Sequence, residues 1–206
     1  VQVITPREAQ ALRTEQPAAI MHENLARGKA YTLHPTPGYP LCTDPGDRTQ
    51  LTDGQYTVGY FWTQKSTVGW VRMEDLVITL DLGAHYPIRG LVFSAAAGVA
   101  GVKWPAEIEI LVSVDGRAYH SLGDLVQLSA KKSEPPTHGN YSLHRFQTDG
   151  LRAHGRYVKL LITPVGNCTF ADEIEIHRGD EALKEVPLPG IATNYPPEYF
   201  DADPFM

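Results

Sequence analysis

Cysteine is nearly missing from this sequence. Cys42 and Cys168 stand far apart in a chain of 206 residues and show no CxxC spacing, so neither a zinc site nor a redox motif is indicated. One disulfide or two buried thiols remain open. Long apolar runs are absent too, and no stretch approaches the roughly 18 residues a membrane-spanning helix needs. Basic charge is short: 18 Lys and Arg face 24 Asp and Glu, a formal net charge of −6. A nucleic-acid backbone is therefore a poor partner, because phosphate binding needs a concentrated basic surface. No GxSxG, HExxH, Walker or GxGxxG pattern occurs, nor any βαβ rhythm, internal repeat or low-complexity tract. No basic and apolar leader precedes Val1, which predicts a mature form with its signal removed, or an excised piece.

What is present points to one β-rich domain with tails. Apolar residues, at 42%, are enough for a core, and 18 Gly with 16 Pro predict many turns. Thr5-Pro6-Arg7-Glu8 reads as a helix start, with Thr as N-cap and Pro at the first helical position, so residues 1–23 are predicted as a helical extension. From residue 181 to 206, Pro187, Pro189, Pro196, Pro197 and Pro204 alternate with Tyr195, Tyr199, Phe200 and Phe205. Proline removes backbone donors, so this tail reads as a linker to another domain or a strap packed by its aromatics, with the linker favoured.

Between the tails, residues 24–180 read as strands and turns. Leu76–Leu82, Ile88–Phe93, Glu107–Val114, Tyr157–Ile162 and Glu173–His177 are rich in β-branched residues. Turns are expected at Pro87 and at Asp115-Gly116. Short strands at this spacing predict a sandwich.

Seven pieces in order carry a resemblance. They are Asn24-Leu25-Ala26-Arg27-Gly28-Lys29-Ala30, Leu51-Thr52-Asp53-Gly54, Trp62-Thr63, Val77–Gly83, Pro105–Gly116, Gly155–Leu160 and Ala171–Ile176. Together they resemble the discoidin domain, also called the coagulation factor 5/8 type C domain, and its bacterial relatives, the family 32 carbohydrate-binding modules. The resemblance implies an all-β fold, an eight-stranded antiparallel jelly-roll β-sandwich of the galactose-binding type, secreted or at the cell surface.

It also implies a structural calcium ion under the Asp53-Gly54 loop. Hard Ca²⁺ takes six to eight oxygens, mixing carboxylates with backbone carbonyls. By the resemblance Asp53 supplies the loop carboxylate and Glu173 the closing one. Gln50, Gln55, Thr57 or Val58, and Asp172 would add carbonyls. The stretch from Gln55 to Phe61 is longer than the family's pattern, which bears on the Thr57/Val58 ligand. Asp44 and Asp47 lie just upstream and could join. The competing reading has Asp53 making an Asx-turn with its own backbone and Glu173 as a solvated strand residue.

Sugars are bound by aromatic rings stacking on C–H faces, with polar groups fixing the hydroxyls. Three loops qualify: Tyr60–Trp70, Ala95–Trp104 and Gly166–Phe170. Candidate ligand residues are Trp70, Lys103, Trp104, Phe170, Tyr39 and Gln64, with Phe170 at a position where the family's sugar sites commonly place an aromatic. The family's arginine just past Phe93 is unmatched, since Ser94 and alanines stand there, and Lys103 is its possible replacement. Trp62 matches a core tryptophan of the family. The expected function is a non-catalytic module that binds a polysaccharide or glycan and serves an attached glycoside-active enzyme. The alternatives are an adhesion module for a protein or lipid surface, against whose anionic membranes the charge of −6 works, and a ligand-free spacer.

Overall fold

The computed structural model describes residues 22–71, 75–193, 195 and 199. The helix predicted in residues 1–23 falls almost wholly outside them.

Among the described residues, eight strands form the domain: β1 Tyr31–His34, β2 Val68–Val71, β3 Leu76–Ala97, β4 Glu107–Ser113, β5 His120–Asp124, β6 Ser142–Thr148, β7 Ala153–Thr163 and β8 Cys168–Arg178. One short helix, α1 Leu125–Ala130, follows β5, with the Asp124 side chain capping it by accepting from Val126 N at 2.8 Å. All pairings are antiparallel. One layer runs β2–β8–β3–β6 and the other β1–β3–β7–β4–β5, so β3 belongs to both. This is the predicted jelly-roll sandwich.

β3 replaces two predicted strands. The expected break at Pro87 is a bend: the register against β7 shifts between Asp81 and Tyr86, and Gly83 takes φ +82, where side chains are strained. Asp81 Oδ1 accepts from Gly83 N at 2.8 Å and stabilises the corner. The first part of β3 pairs with β1 and β7, Tyr86–Ile88 just beyond the bend still pairs with β7, and the remainder pairs with β8 and β6. Leu76–Leu80 and Gly90–Ala97 are buried, as a position central to a layer demands, while Gly83–His85 at the bend are exposed. Ala95, Ala96 and Ala97, expected in a loop, are its last buried residues.

Between the layers sits the core, with Leu51, Phe61, Trp70, Ile78, Phe93, Phe146, Leu160, Phe170 and Ile174 among its buried members. A second apolar patch, of Val77, Leu111, Tyr119, Tyr157 and Leu161, is packed by Ala192, Tyr195 and Tyr199. There Ala192 N donates to Tyr119 O at 2.8 Å, Ile191 bridges His120, and buried Lys159 donates to the Tyr199 carbonyl at 2.7 Å. These contacts hold Ile191, Ala192, Tyr195 and Tyr199 against the domain. Cys42 and Cys168 are both free thiols. Among the described residues no helix is long and apolar enough to cross a membrane.

Candidate functional site

Three of the four aromatic candidates are structural. Trp70 is 2% exposed on β2, and its indole Nε1 donates to Pro35 O at 2.9 Å. Phe170 is 1% exposed on β8, with the half-buried Tyr39 ring packed edge-on to it at 4.8 Å. Trp104 is buried over His144 and Phe146 and donates to Pro136 O at 2.8 Å. Trp70 and Phe170 sit on adjacent rungs of the β2–β8 ladder and so on opposite faces, Trp70 bonded to the Pro35 segment and Phe170 covered by Tyr39 and Trp62. None of the three presents a face on which a surface ligand can stack.

The rings that do reach the surface are others. Tyr60, 54% exposed, half-buried Trp62 and half-buried Tyr141 form one cluster. Their centroids are 5.8 Å apart for Tyr60–Trp62, 4.6 Å for Tyr60–Tyr141 and 5.1 Å for Trp62–Tyr141. Trp62 rests on buried Phe170 at 5.6 Å, so Phe170 supports the cluster from below. Hydrogen bonds fix the loop: Tyr141 OH donates to Gly59 O at 2.7 Å and accepts from Phe61 N at 3.3 Å. Thr67 Oγ1 donates to Phe61 O at 2.6 Å and Gln64 O at 2.8 Å.

The Gln64 side chain and the backbones of neighbouring loops border this cluster. Gln64 lies beside Gly59, where an added Cβ would stand 3.1 Å from Gln64 Nε2. The Gly98 loop meets the Asn140 backbone so closely that a Cβ at Gly98 would sit 2.0 Å from Asn140 O. On its other side, Gly166 packs against the exposed Lys103 and Gly101 approaches Asn167. The loops holding residues 58–64, 98–104, 139–141 and 164–167 thus converge on one rim. Sequence reasoning placed Tyr60 and Gln64 in a candidate loop and missed Tyr141.

The proposed cation residues gather at the neighbouring Asp53–Val58 loop. Buried Glu173 accepts from Gly54 N through Oε2 at 3.1 Å, while its Oε1 has no partner. Buried Asp172 accepts from Thr57 N through Oδ2 at 2.7 Å, and its Oδ1 is likewise without one. Burial pushes Glu173 up to about 8 and raises Asp172 as well. Asp53 Oδ1 accepts from Gln55 N at 2.7 Å, the Asx-turn of the competing reading. Gln50 is half-buried, its amide donating to Asp44 and Lys65 O; Gln55 and Val58 are exposed. Glu173 is buried rather than solvated. Tyr56 OH adds a third tie to β8 by donating to Glu175 Oε1 at 2.6 Å, so consecutive acids of that strand hold the loop that leads into Tyr60.

A hard cation fits this donor set in kind, since all of it is oxygen and two buried carboxylate oxygens lack donors. Among the described residues no three His, Cys, Asp or Glu side chains converge, so carbonyls would have to complete any cage.

No protein-family model matches the chain, and no curated protein does. Solved structures do. A fucolectin from striped bass (Morone saxatilis) serum superposes with a TM-score of 0.53 at 17% identity, over 77% of this chain and 49% of that one. The fold is of the discoidin type. Chitosan-binding module 1 of a chitosanase/glucanase from Paenibacillus sp. IK-5 gives a TM-score of 0.49 at 16% identity, over 76% of this chain and 99% of that one. CpGH89CBM32-5 of Clostridium perfringens, solved with GalNAc-β-1,3-galactose, gives 0.47 at 18% identity, over 75% and 99%.

Proposed function

We propose that this discoidin-type domain is a non-catalytic carbohydrate-binding module whose contact surface is the Tyr60–Trp62–Tyr141 rim. The exposed ring cluster carries the reading. Aromatic faces stack on the C–H faces of sugars, and Gln64, Asn140 and Lys103 on the adjoining loops can hydrogen-bond the hydroxyls. A lectin of the same fold is consistent with it. In this reading the chain does no chemistry. It holds a secreted, glycan-active enzyme on its polysaccharide or glycan substrate, outside the cell or at its surface.

The same proposal includes a structural calcium ion. Asp53 and Glu173 would hold it by carboxylate, with carbonyls of Gln50, Gln55, Val58 and Asp172. When bound, it would neutralise the buried acids and stiffen the loop before Tyr60. The unpartnered Glu173 Oε1 supports this part.

A glycan array probed with the purified chain tests the function. Binding that disappears in Trp62→Ala and Tyr60→Ala supports the module. Val58, 90% exposed beside these rings, favours a second reading, adhesion to a protein or lipid surface. Retention on vesicles with a silent array would favour that reading.

A further inference from the structure

Two histidines meet where the bend of β3 faces the start of β7. His85 Nε2 and His154 Nδ1 are 2.7 Å apart, with ring centroids at 4.8 Å and 62° between the ring planes. The far nitrogen of His154, Nε2, lies 3.1 Å from Val186 O, in the segment that follows β8. That segment opens with the 3₁₀ turn Glu181–Glu185. Just ahead of the turn, Gly179 N donates to Pro87 O at 3.0 Å. One chain of contacts thus joins the bend, β7 and the segment after β8.

The far end of this chain fixes its protons. A carbonyl only accepts, so His154 Nε2 carries the hydrogen, and neutral His154 keeps a lone pair on Nδ1. His85 then donates through its Nε2. A first added proton goes to His85 Nδ1 and breaks nothing. A second belongs on His154 Nδ1, where its N–H would face the His85 N–H across 2.7 Å. The pair therefore holds one extra proton and parts on taking two. His120 is a contrast: its Nδ1 donates to Pro189 O at 2.7 Å, a bond open to neutral and charged rings alike.

The surrounding charges act in the same direction. Burial, His154 and Lys184 lower His85 below the ordinary histidine value, and Glu181 opposes them. Glu181 is itself shared between Arg178 at 2.7 Å and Lys184 at 2.8 Å. On the bend and β7, Asp81 is taken by Arg156 at 2.8 Å. Lys29 reaches the bend as well, since a Cβ at Gly83 would stand 3.6 Å from its Nζ. A doubly charged histidine pair would thus stand beside Lys184 while Glu181 is engaged elsewhere.

We propose that His85 and His154 form a proton-operated latch, which ties the turn at 181–186 to the bend of β3 at neutral pH and lets the two part in acid. A histidine whose folded value is lowered takes its proton more readily once the contact is open. The latch is therefore full above the ordinary value, about 6.5, and weakens as pH falls below it. It concerns how the segment after β8 is held and does not depend on what the rim binds.

Amide hydrogen exchange of the full chain tests it, read as protection factors at pH 7.5 and pH 5, with nitrogen-15 shifts of the imidazole rings reporting the protons. In the wild type, Gly179, Leu183 and Val186 are expected to lose roughly threefold or more in protection at pH 5, while Leu160 in β7 keeps its own. The ring shifts should place the hydrogen of neutral His154 on Nε2. His85→Gln is the decisive variant: its amide donates to a neutral His154 Nδ1 and, turned over, accepts from a charged one. Its turn should be protected alike at both pH values. His154→Leu lacks both contacts, and its turn should be weakly protected at both. Equal protection of the wild-type turn at the two pH values overturns the latch. So does an undiminished pH response in His85→Gln, a neutral His154 with its hydrogen on Nδ1, or a loss at pH 5 that Leu160 shares.

Discussion

Tyr141 and Tyr60 lie with ring centroids 4.6 Å apart, and the Tyr141 hydroxyl donates to the carbonyl of Gly59, the residue just before Tyr60, at 2.7 Å. One side chain therefore both supports an exposed ring and clamps the loop that carries it. Tyr141→Phe keeps the stacking and removes two hydrogen bonds. We expect a stability loss of about 1 kcal/mol, from a solvent-accessible pair, and a severalfold loss of glycan affinity. Denaturant unfolding together with calorimetric titration checks both.

Phe170 separates packing from recognition. Phe170→Ala opens a cavity in the core and should cost about 3–5 kcal/mol in denaturant unfolding. Trp70→Ala should cost a similar amount and also leaves the Pro35 carbonyl without its indole donor. If either variant instead unfolds like the wild type while losing sugar binding, the inward placement of these rings is wrong.

Removal of divalent ions tests the proposed calcium. A chelator should lower the melting temperature of the wild type, and added calcium should restore it. Glu173→Gln should abolish that response, because the closing carboxylate is gone. An identical melt with and without chelator, and no metal in elemental analysis, would reject the site.

Asp81 and Arg156 set an acid limit on stability. Arg156 Nε and Nη2 donate to Asp81 Oδ1 and Oδ2, both at 2.8 Å. Those bonds hold the Asp81 carboxyl below its ordinary range. A carboxylate whose folded value is lowered contributes stability that is full above its unfolded value, about 4, and is lost as pH falls through the folded value. Asp81→Asn should therefore melt lower than the wild type at pH 7, and the gap should close towards pH 2. A gap that persists at pH 2 contradicts the ion pair as the cause.

Much of the fold was legible, and particular residues show why. Glu107–Val114 and Tyr157–Ile162 are β-branched and sit centrally in a layer, so their pattern and placement agree. β1, β2, β5 and β6 escaped notice because they are short or partly polar; β6 buries only His144 and Phe146 among exposed or half-exposed neighbours. Pro87 signalled a turn, yet a proline is tolerated where the strand bends and the register slips. The site was harder to read. An aromatic in a loop sequence can point either way, and Trp70 and Phe170, on opposite faces of the β2–β8 pair, are buried only by the separate segments that cover each face. Tyr141 is distant in sequence from Tyr60 and Trp62, so no local pattern could join them. Asp47 looked like a possible calcium neighbour; its orphaned oxygen is visible only in three dimensions.

The most direct test of the central claim is calorimetric titration of the array's strongest glycan into the wild type, Trp62→Ala and Tyr60→Ala, with the melting temperature of each recorded. Exposed and half-exposed rings of this kind contribute on the order of 1 kcal/mol or more to a stacked ligand. The account predicts a fivefold or greater loss of affinity in each variant, with the fold retained. Unchanged affinity in both folded variants would contradict it.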